Sequence, residues 1–278
     1  MGTLYLVATP IGNLEDISAR ALRILGQVGL IAAEDTRQTR KLLSHYDIHT
    51  PLTSYHEHNK LVKLDSILSV LAQGDMALVS DAGTPALNDP GYELVQAALR
   101  SGYTVSPIPG PSAPVAALVV SGLPTEAFLY LGYLPRKATE RRQGLAKVAT
   151  LPYTLIFLET PHRLLPALED LQAALGDRTA AVARELTKLH EEIFRGKLSA
   201  AHAYFTVNPP RGEFTLVVEG FQPSAERERW SEERLQAALQ ERLSIGQPAS
   251  QIAAQVAQES GWPRREVYRM VTELTKAA

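Results

Sequence analysis

Cysteine is wholly absent from the 278 residues. That excludes disulfide frameworks, thiolate metal sites, iron–sulfur clusters and a cysteine nucleophile together, and is compatible with a reducing cytoplasm. An excess of either charge is also missing: 28 Lys and Arg against 30 Asp and Glu leave a formal charge of −2. A bulk polycation is thereby excluded, so any contact with nucleic acid has to come from local basic patches. No basic leader opens the chain, and Leu6 stands where an N-myristoylation motif requires Ser or Thr. Ser101 to Thr125 carries no charge and is long enough to span a bilayer, but it contains Pro107, Pro109, Pro111, Pro114 and Pro124. Their missing N–H groups exclude a continuous membrane helix. These absences predict a soluble, cytoplasmic protein with no membrane partner.

What is present is ordinary in bulk. Hydrophobic residues make up 45% and charged residues 21%, which excludes global disorder, and the length suits roughly two domains. Residues 3–8 form an apolar run ending in Thr9-Pro10-Ile11-Gly12-Asn13, the pattern of a buried strand feeding a turn. A helical pattern follows, with Ile17, Ala21, Leu22 and Leu25 on one face. Apolar runs at 28–33, 76–80 and 103–108 then alternate with helical patterns at 37–46, 60–73, 90–100 and 112–121. Such alternation predicts a parallel α/β sheet, because parallel neighbours require crossover connections. Gly122-Leu123-Pro124 breaks the pattern as a hinge. Beyond a basic connection, strands at 153–159, 179–184, 190–195 and 213–219 with a helix at 161–175 predict a mixed sheet of similar size. A polar linker at 222–229 leads into an all-helical tail at about 231–276. The predicted organisation is an α/β domain over 1–122, a second over 123–222 and a helical domain over 230–278.

Three loops rich in glycine and proline follow predicted strands, where open α/β sheets bind ligands. They are Ala8 to Asn13, Ser80 to Gly91 and Ile108 to Pro114, the last running into a helix that Ser112 is placed to cap. None carries Gly-Lys-Ser/Thr or Gly-x-Gly-x-x-Gly, so a phosphate cradle is disfavoured. Rigid loops with free main-chain groups suit a nucleoside that lacks phosphate. Singly, each loop is also what an ordinary turn looks like.

Taken in order, the loops resemble the tetrapyrrole methylase fold, a class of methyltransferases distinct from the Rossmann-like ones. Four stretches are similar to the ribosomal RNA small subunit methyltransferase I family in particular: Val7 to Asp16, Ala33-Glu34-Asp35-Thr36-Arg37, Ser80-Asp81-Ala82-Gly83-Thr84-Pro85 and Glu159-Thr160-Pro161-His162-Arg163. The resemblance covers about residues 3–220 and extends into the tail. It implies two α/β domains of class III methyltransferase type with a cofactor cleft between them, a helix-turn-helix-like C-terminal domain, S-adenosyl-L-methionine as cofactor, and a homodimer. It further implies 2′-O-methylation of a cytidine in the decoding region of 16S rRNA, with the small ribosomal subunit as partner. Carried across by motif, the cofactor should meet Pro10, Asp81, Gly83, Thr84, Leu87, Ser112 and Ala113, then Leu158, Leu186, Phe214 and Thr215 from the second half. Corrin and sirohaem methylases carry a glycine-rich first loop and a Gly-Asp-Pro second loop. Thr9-Pro10-Ile11-Gly12-Asn13 and Gly83-Thr84-Pro85 depart from that pattern, which argues against a tetrapyrrole substrate.

Methyl transfer from a sulfonium needs no metal, and His56 and His58 alone do not make a metal site. A ribose hydroxyl is a poor nucleophile, so alignment and a proton acceptor are what a protein must add. Charged residues abutting second-half strands mark a cleft rim or a plain ion-pair network: Glu159, His162, Arg163, Arg184, Glu185, Lys188 and Glu192. Glu185 or Glu159 is the expected acceptor, with Arg184 and Lys188 on phosphate. RNA affinity needs cations. Arg37, Arg40 and Arg163 are expected to serve beside the cleft. Residues 135–147 hold Arg136, Lys137, Arg141, Arg142 and Lys147 against Glu140 alone, and Arg264 and Arg265 with Arg269 project from the second helix of the tail. A solvated helix face and a purely structural helical module are the plain alternatives. The rival functions are a same-fold methylase of a tetrapyrrole or protein, and a non-catalytic DNA-binding regulator.

Overall fold

The structure, a computed structural model, describes residues 2–222, 230–244 and 247–277. Most of the expected linker, residues 223–229, lies outside the described residues. The chain forms two compact units, Met1–Phe221 and Gln222–Ala278.

The first unit holds two five-stranded sheets. The first sheet is built from β1 (Thr3–Val7), β2 (Leu30–Ala33), β3 (Leu52–Ser54), β4 (Met76–Val79) and β5 (Thr104–Ile108), in the order β3-β2-β4-β1-β5. Every pairing in it is parallel, as the alternation of strands with helices predicts. The crossovers are α1 (Ala19–Gln27), α2 (Thr36–His45), α3 (Lys60–Leu71) and α4 (Tyr92–Arg100). Ser18 and Asp35 cap α1 and α2 by accepting from Ala21 N and Arg37 N, which satisfies donors the helix leaves unpaired. The strand β3 escapes the sequence reading because three half-buried residues give no periodicity. Tyr55-His56-Glu57-His58 forms a turn ahead of α3, in which Asn59 Oδ1 accepts from His56 N.

After α5 (Ala113–Ser121) the second sheet takes β6 (Phe128–Tyr133), β7 (Thr154–Glu159), β8 (Thr179–Arg184), β9 (Glu192–Lys197) and β10 (Phe214–Val218), in the order β6-β7-β10-β8-β9. β6 and β7 run parallel and the other pairs antiparallel. Its flanking helices are α6 (Ala138–Val148), α7 (Leu164–Leu175) and α8 (Leu198–Val207). The elements β6 and α8 are not legible in the sequence. α5 packs Ala117 and Leu118 against Ile156, Ala181 and Val217, so the chain has joined the second sheet before it reaches Gly122. That glycine ends α5 at φ +78.

One packing contact corrects the reading of 135–147 as basic surface. Arg141 is only 5% exposed. Its Nε donates to Asp170 Oδ2 at 2.7 Å, and Arg142 reaches Asp170 Oδ1 at 2.6 Å from the solvent side. Arg141 therefore ties α6 to α7 and is not free for RNA. Breaking one side of a buried pair leaves the other charge unmatched. Asp170→Asn is expected to lower unfolding stability by about 3 kcal/mol in urea melts, whereas Lys137→Gln, on the exposed face, should change little.

The second unit comprises α9 (Glu232–Ser244), α10 (Ala249–Ser260) and α11 (Arg264–Ala277) around Leu235, Leu239, Ile252, Val256, Val267 and Val271. Gly261 closes α10 at φ +70 and Pro263 precedes α11, giving the expected helix-turn-helix shape. Among the described residues no helix is long and apolar enough to cross a membrane.

Candidate functional site

The carboxyl ends of the first sheet meet the second sheet, at the ends of β6, β7 and β8 and the start of β10, across an open cleft of about 1030 Å³ with the solvent at its mouth included. Hydrogen bonds join its three loops although they lie far apart in sequence. Thr9 N donates to Gly83 O at 2.9 Å and Gly83 N to Thr9 O at 3.0 Å. Thr9 Oγ1 donates to Ser80 O, and Thr84 Oγ1 donates to Pro111 O. Gly83 sits at φ +80, a conformation that side chains disfavour. The loops thus form one fixed wall with main-chain groups at its surface.

Of the expected cofactor residues, Asp81, Gly83, Thr84, Leu87, Ser112, Ala113, Leu158, Leu186, Phe214 and Thr215 all line this cleft, while Pro10 does not. Ser112 occupies the cap position of α5 but its side chain makes no capping bond. Its hydroxyl is therefore not committed to the helix end as the sequence suggests.

Five carboxylates line the cleft: Glu34, Asp81, Asp89, Glu159 and Glu213. Among the described residues no Lys or Arg does. Asp35 N donates to Asp81 Oδ1 at 2.9 Å, joining the ends of β2 and β4. Burial raises the proton affinity of Glu34, Asp81 and Glu159, because a charge removed from water is penalised. Asp89 is pushed up to about 6, by burial first and then by the neighbouring charge of Glu34. Glu159 has both oxygens engaged: Oε1 accepts from Thr160 N at 2.8 Å and Oε2 from Arg163 Nη2 at 3.1 Å.

The two expected proton acceptors therefore part company. Glu159 lies in the cleft wall. Glu185 does not line it; its Oε1 accepts from Glu213 N at 2.9 Å and from Lys188 Nζ at 3.0 Å. Burial would raise Glu185, but these hydrogen bonds outweigh it and hold the carboxyl low, the opposite of what a proton acceptor needs. Lys188 also reaches Glu213 Oε2 at 3.1 Å. Arg184 donates to Arg211 O at 2.8 Å and to Glu192 at 3.2 Å. Arg184 is thus ion-paired to Glu192, and Lys188 to both Glu185 and Glu213.

The RNA candidates divide in the same way. Arg163, expected to meet RNA, donates to Glu159 and to the carbonyls of Leu134 and Pro135, so it braces the cleft wall. Arg37 and Arg40 are exposed at the start of α2, directly after Glu34, with Arg37 paired to Asp35. Arg136, Lys137, Arg142, Arg264, Arg265 and Arg269 are exposed. The lining residues that sequence reasoning leaves without a role include Asn88, Asp89, Tyr130 and Tyr133. Asp89 belongs to the second loop, whereas the tyrosines stand on β6, the strand without a sequence signal. Among the described residues no group of three His, Asp or Glu is arranged to hold a metal ion.

Residues 3–202 match the family described as Tetrapyrrole (Corrin/Porphyrin) Methylases. The chain is 50% identical over 276 residues to a Synechocystis protein named Ribosomal RNA small subunit methyltransferase I, covering 99% of each. A protein of the same name from Thermotoga maritima is 48% identical over 221 residues, which is 79% of this chain but 99% of that protein. A crystal structure of diphthine synthase shares the fold with a TM-score of 0.60 at 14% identity, over 79% of this chain and 90% of that one.

Proposed function

The chain belongs to the tetrapyrrole methylase family, in its ribosomal RNA small subunit methyltransferase I branch, and from that premise we propose that it transfers a methyl group from S-adenosyl-L-methionine to 16S rRNA, at the 2′-hydroxyl of a cytidine in the decoding region. Relatives of nearly full mutual coverage support the RNA substrate. The single observation that carries the cofactor is the charge of the cleft. Five carboxylates without a lining cation suit a sulfonium and repel phosphate. Bound there, the cofactor supplies an activated methyl group on a sulfonium that leaves as a neutral thioether.

The chain's own residues would act around that donor. Main-chain groups of Gly83, Thr84 and Ala113 would hold the cofactor by hydrogen bonds, and Leu158, Leu186 and Phe214 would supply its apolar contacts. Asp89 accepts the proton of the ribose hydroxyl, because its raised affinity suits that task and Glu159 already spends both oxygens on Thr160 and Arg163. Glu159 and Arg163 position the wall. Arg37, Arg40, Arg136, Lys137, Arg142, Arg264 and Arg265 supply phosphate contacts, which compensate the repulsion between an acidic cleft and a polyanion. A cytoplasmic homodimer is proposed on family membership alone.

Calorimetric titration with S-adenosylmethionine in excess chelator tests the cofactor assignment. Saturable binding with unchanged affinity is expected. Loss of binding on chelation would mean that a metal completes the site.

A further inference from the structure

The cleft carries two large aromatic rings to which no cofactor role falls. Tyr130 and Tyr133 both line it, from the edge strand β6. Three residues apart, they should face opposite sides of a regular strand, since side chains alternate with period two. A bulge brings them together. Tyr130 pairs with Ile156 and Tyr133 with Leu158, so Leu131 and Gly132 together stand against Phe157 alone, and the extra residue re-aims the strand beyond it.

The bulge lies against the second loop. Gly132 adopts φ +65, and a Cβ there would fall on the side-chain amide of Asn88. Asn88 itself sits at φ +66 at the tip of the second loop, next to Asp89. The second loop thus packs directly against the bulge that presents the tyrosines. Tyr130 is partly buried behind the surface, whereas Tyr133 is 51% exposed, a ring kept available in the wall of an open cleft.

On the premise of RNA methylation, we propose that Tyr133, backed by Tyr130, is the stacking platform for the acceptor nucleobase, which enters the cleft unstacked from its neighbours. Every base offers a π-face to an aromatic ring, whereas a base inside an A-form helix presents only its edges and cannot reach a cleft wall. The surroundings define the kind of base. Glu213, Asp89, Glu159 and Glu34 all lie close enough to the Tyr133 hydroxyl to disfavour its ionisation, after burial itself. Ionised carboxylates only accept hydrogen bonds. They match a base edge carrying an amino group, as on cytosine or adenine, and leave a uracil carbonyl facing negative charge. Stacking the base beside Asp89 also brings the adjoining ribose toward the proposed proton acceptor. The substrate class is therefore a single-stranded or flipped nucleotide with an amino-bearing base.

The test uses the full chain with small ribosomal subunits that lack the modification, and compares Tyr133→Phe, Tyr133→Leu and Tyr133→Ala. Stacking predicts that Ala lowers kcat/KM by about ten- to hundredfold, that Leu restores little of it, and that Phe stays within about twofold of wild type. Affinity for S-adenosylmethionine, read by calorimetry, should be unchanged in all three. Leu as active as Phe would reduce the ring to apolar bulk and overturn the platform. Loss of cofactor affinity in a variant with a normal melting curve would assign the ring to the cofactor and also overturn it. Should Ala fail to fold, the Phe and Leu pair decides. Wild-type protein that methylates no ribosomal RNA would instead remove the functional reading on which the platform rests.

Discussion

Asp89→Asn is expected to lower kcat for RNA methylation by about 10²–10⁴-fold, the usual contribution of a positioned general base, while cofactor affinity falls far less. The wild-type rate should drop tenfold per pH unit below about 6, where the Asp89 carboxylate takes up its proton. That limb should be missing from the residual rate of the variant. Stability should move the opposite way. The folded-state value of Asp89, about 6, lies above the roughly 3.9 of an unfolded aspartate. Between those values the native state holds a proton that the unfolded chain has released, so stability falls as pH rises through this window. Above it, the buried charge is a standing cost that Asn removes. After discounting for partial exposure, urea melts at pH 7.5 should find the variant about 1–2 kcal/mol more stable than wild type. A variant that loses activity and gains stability marks a residue kept for function. Retained kcat, with no acid limb near pH 6 in the wild type, would return proton acceptance to Glu159.

Ending the chain at Phe221 should separate chemistry from docking. Residues 2–221 carry both sheets and all lining residues of the cleft, and among the described residues the tail has an apolar core of its own. The truncated protein should therefore fold and bind S-adenosylmethionine as the full chain does. The Thermotoga protein of the same name is matched over 99% of its length by 221 residues, so a relative does without a segment of about the size of the tail. Hence kcat should survive within a few-fold, while KM for the small subunit rises by about tenfold or more. The slope of affinity against salt should shrink as well, because Arg264, Arg265 and Arg269 no longer release counterions. Unchanged KM and slope at limiting substrate would make the tail a structural module. Loss of cofactor affinity in a folded truncation would make it a support of the cleft, and in either case the docking role falls.

Much of this architecture is legible in the sequence because burial leaves plain marks. The strands β1, β4, β7 and β10 are apolar runs bounded by glycine- and proline-rich loops, and in the first sheet parallel order comes from the helices between strands. The loop wall of the cleft is legible because Gly83, Thr84 and Ala113 stand where the loops turn. Other features depend on partners that local pattern does not reveal. Arg141 looks like a surface cation until Asp170, 29 positions on, is seen to bury it. Glu185 looks like a base until the Glu213 amide and Lys188 are seen to hold its carboxylate. Tyr130 and Tyr133 share a face only because a bulge intervenes, and Asn88 is what sits against that bulge. Burial of Asp89, too, is a property of the assembled cleft.

Ribose methylation of the small-subunit RNA is decided by methyl transfer with the position of the methyl group mapped. Purified protein and S-adenosylmethionine labelled in the methyl group should be incubated with small subunits from cells lacking the modification, then digested with nuclease for nucleoside analysis. The expected result is label on a single cytidine of the decoding region, carried on the ribose 2′-oxygen and therefore resistant to alkaline cleavage at that linkage. Label on a nucleobase, on ribosomal protein or on an added tetrapyrrole, or no transfer by protein that binds the cofactor, would refute it.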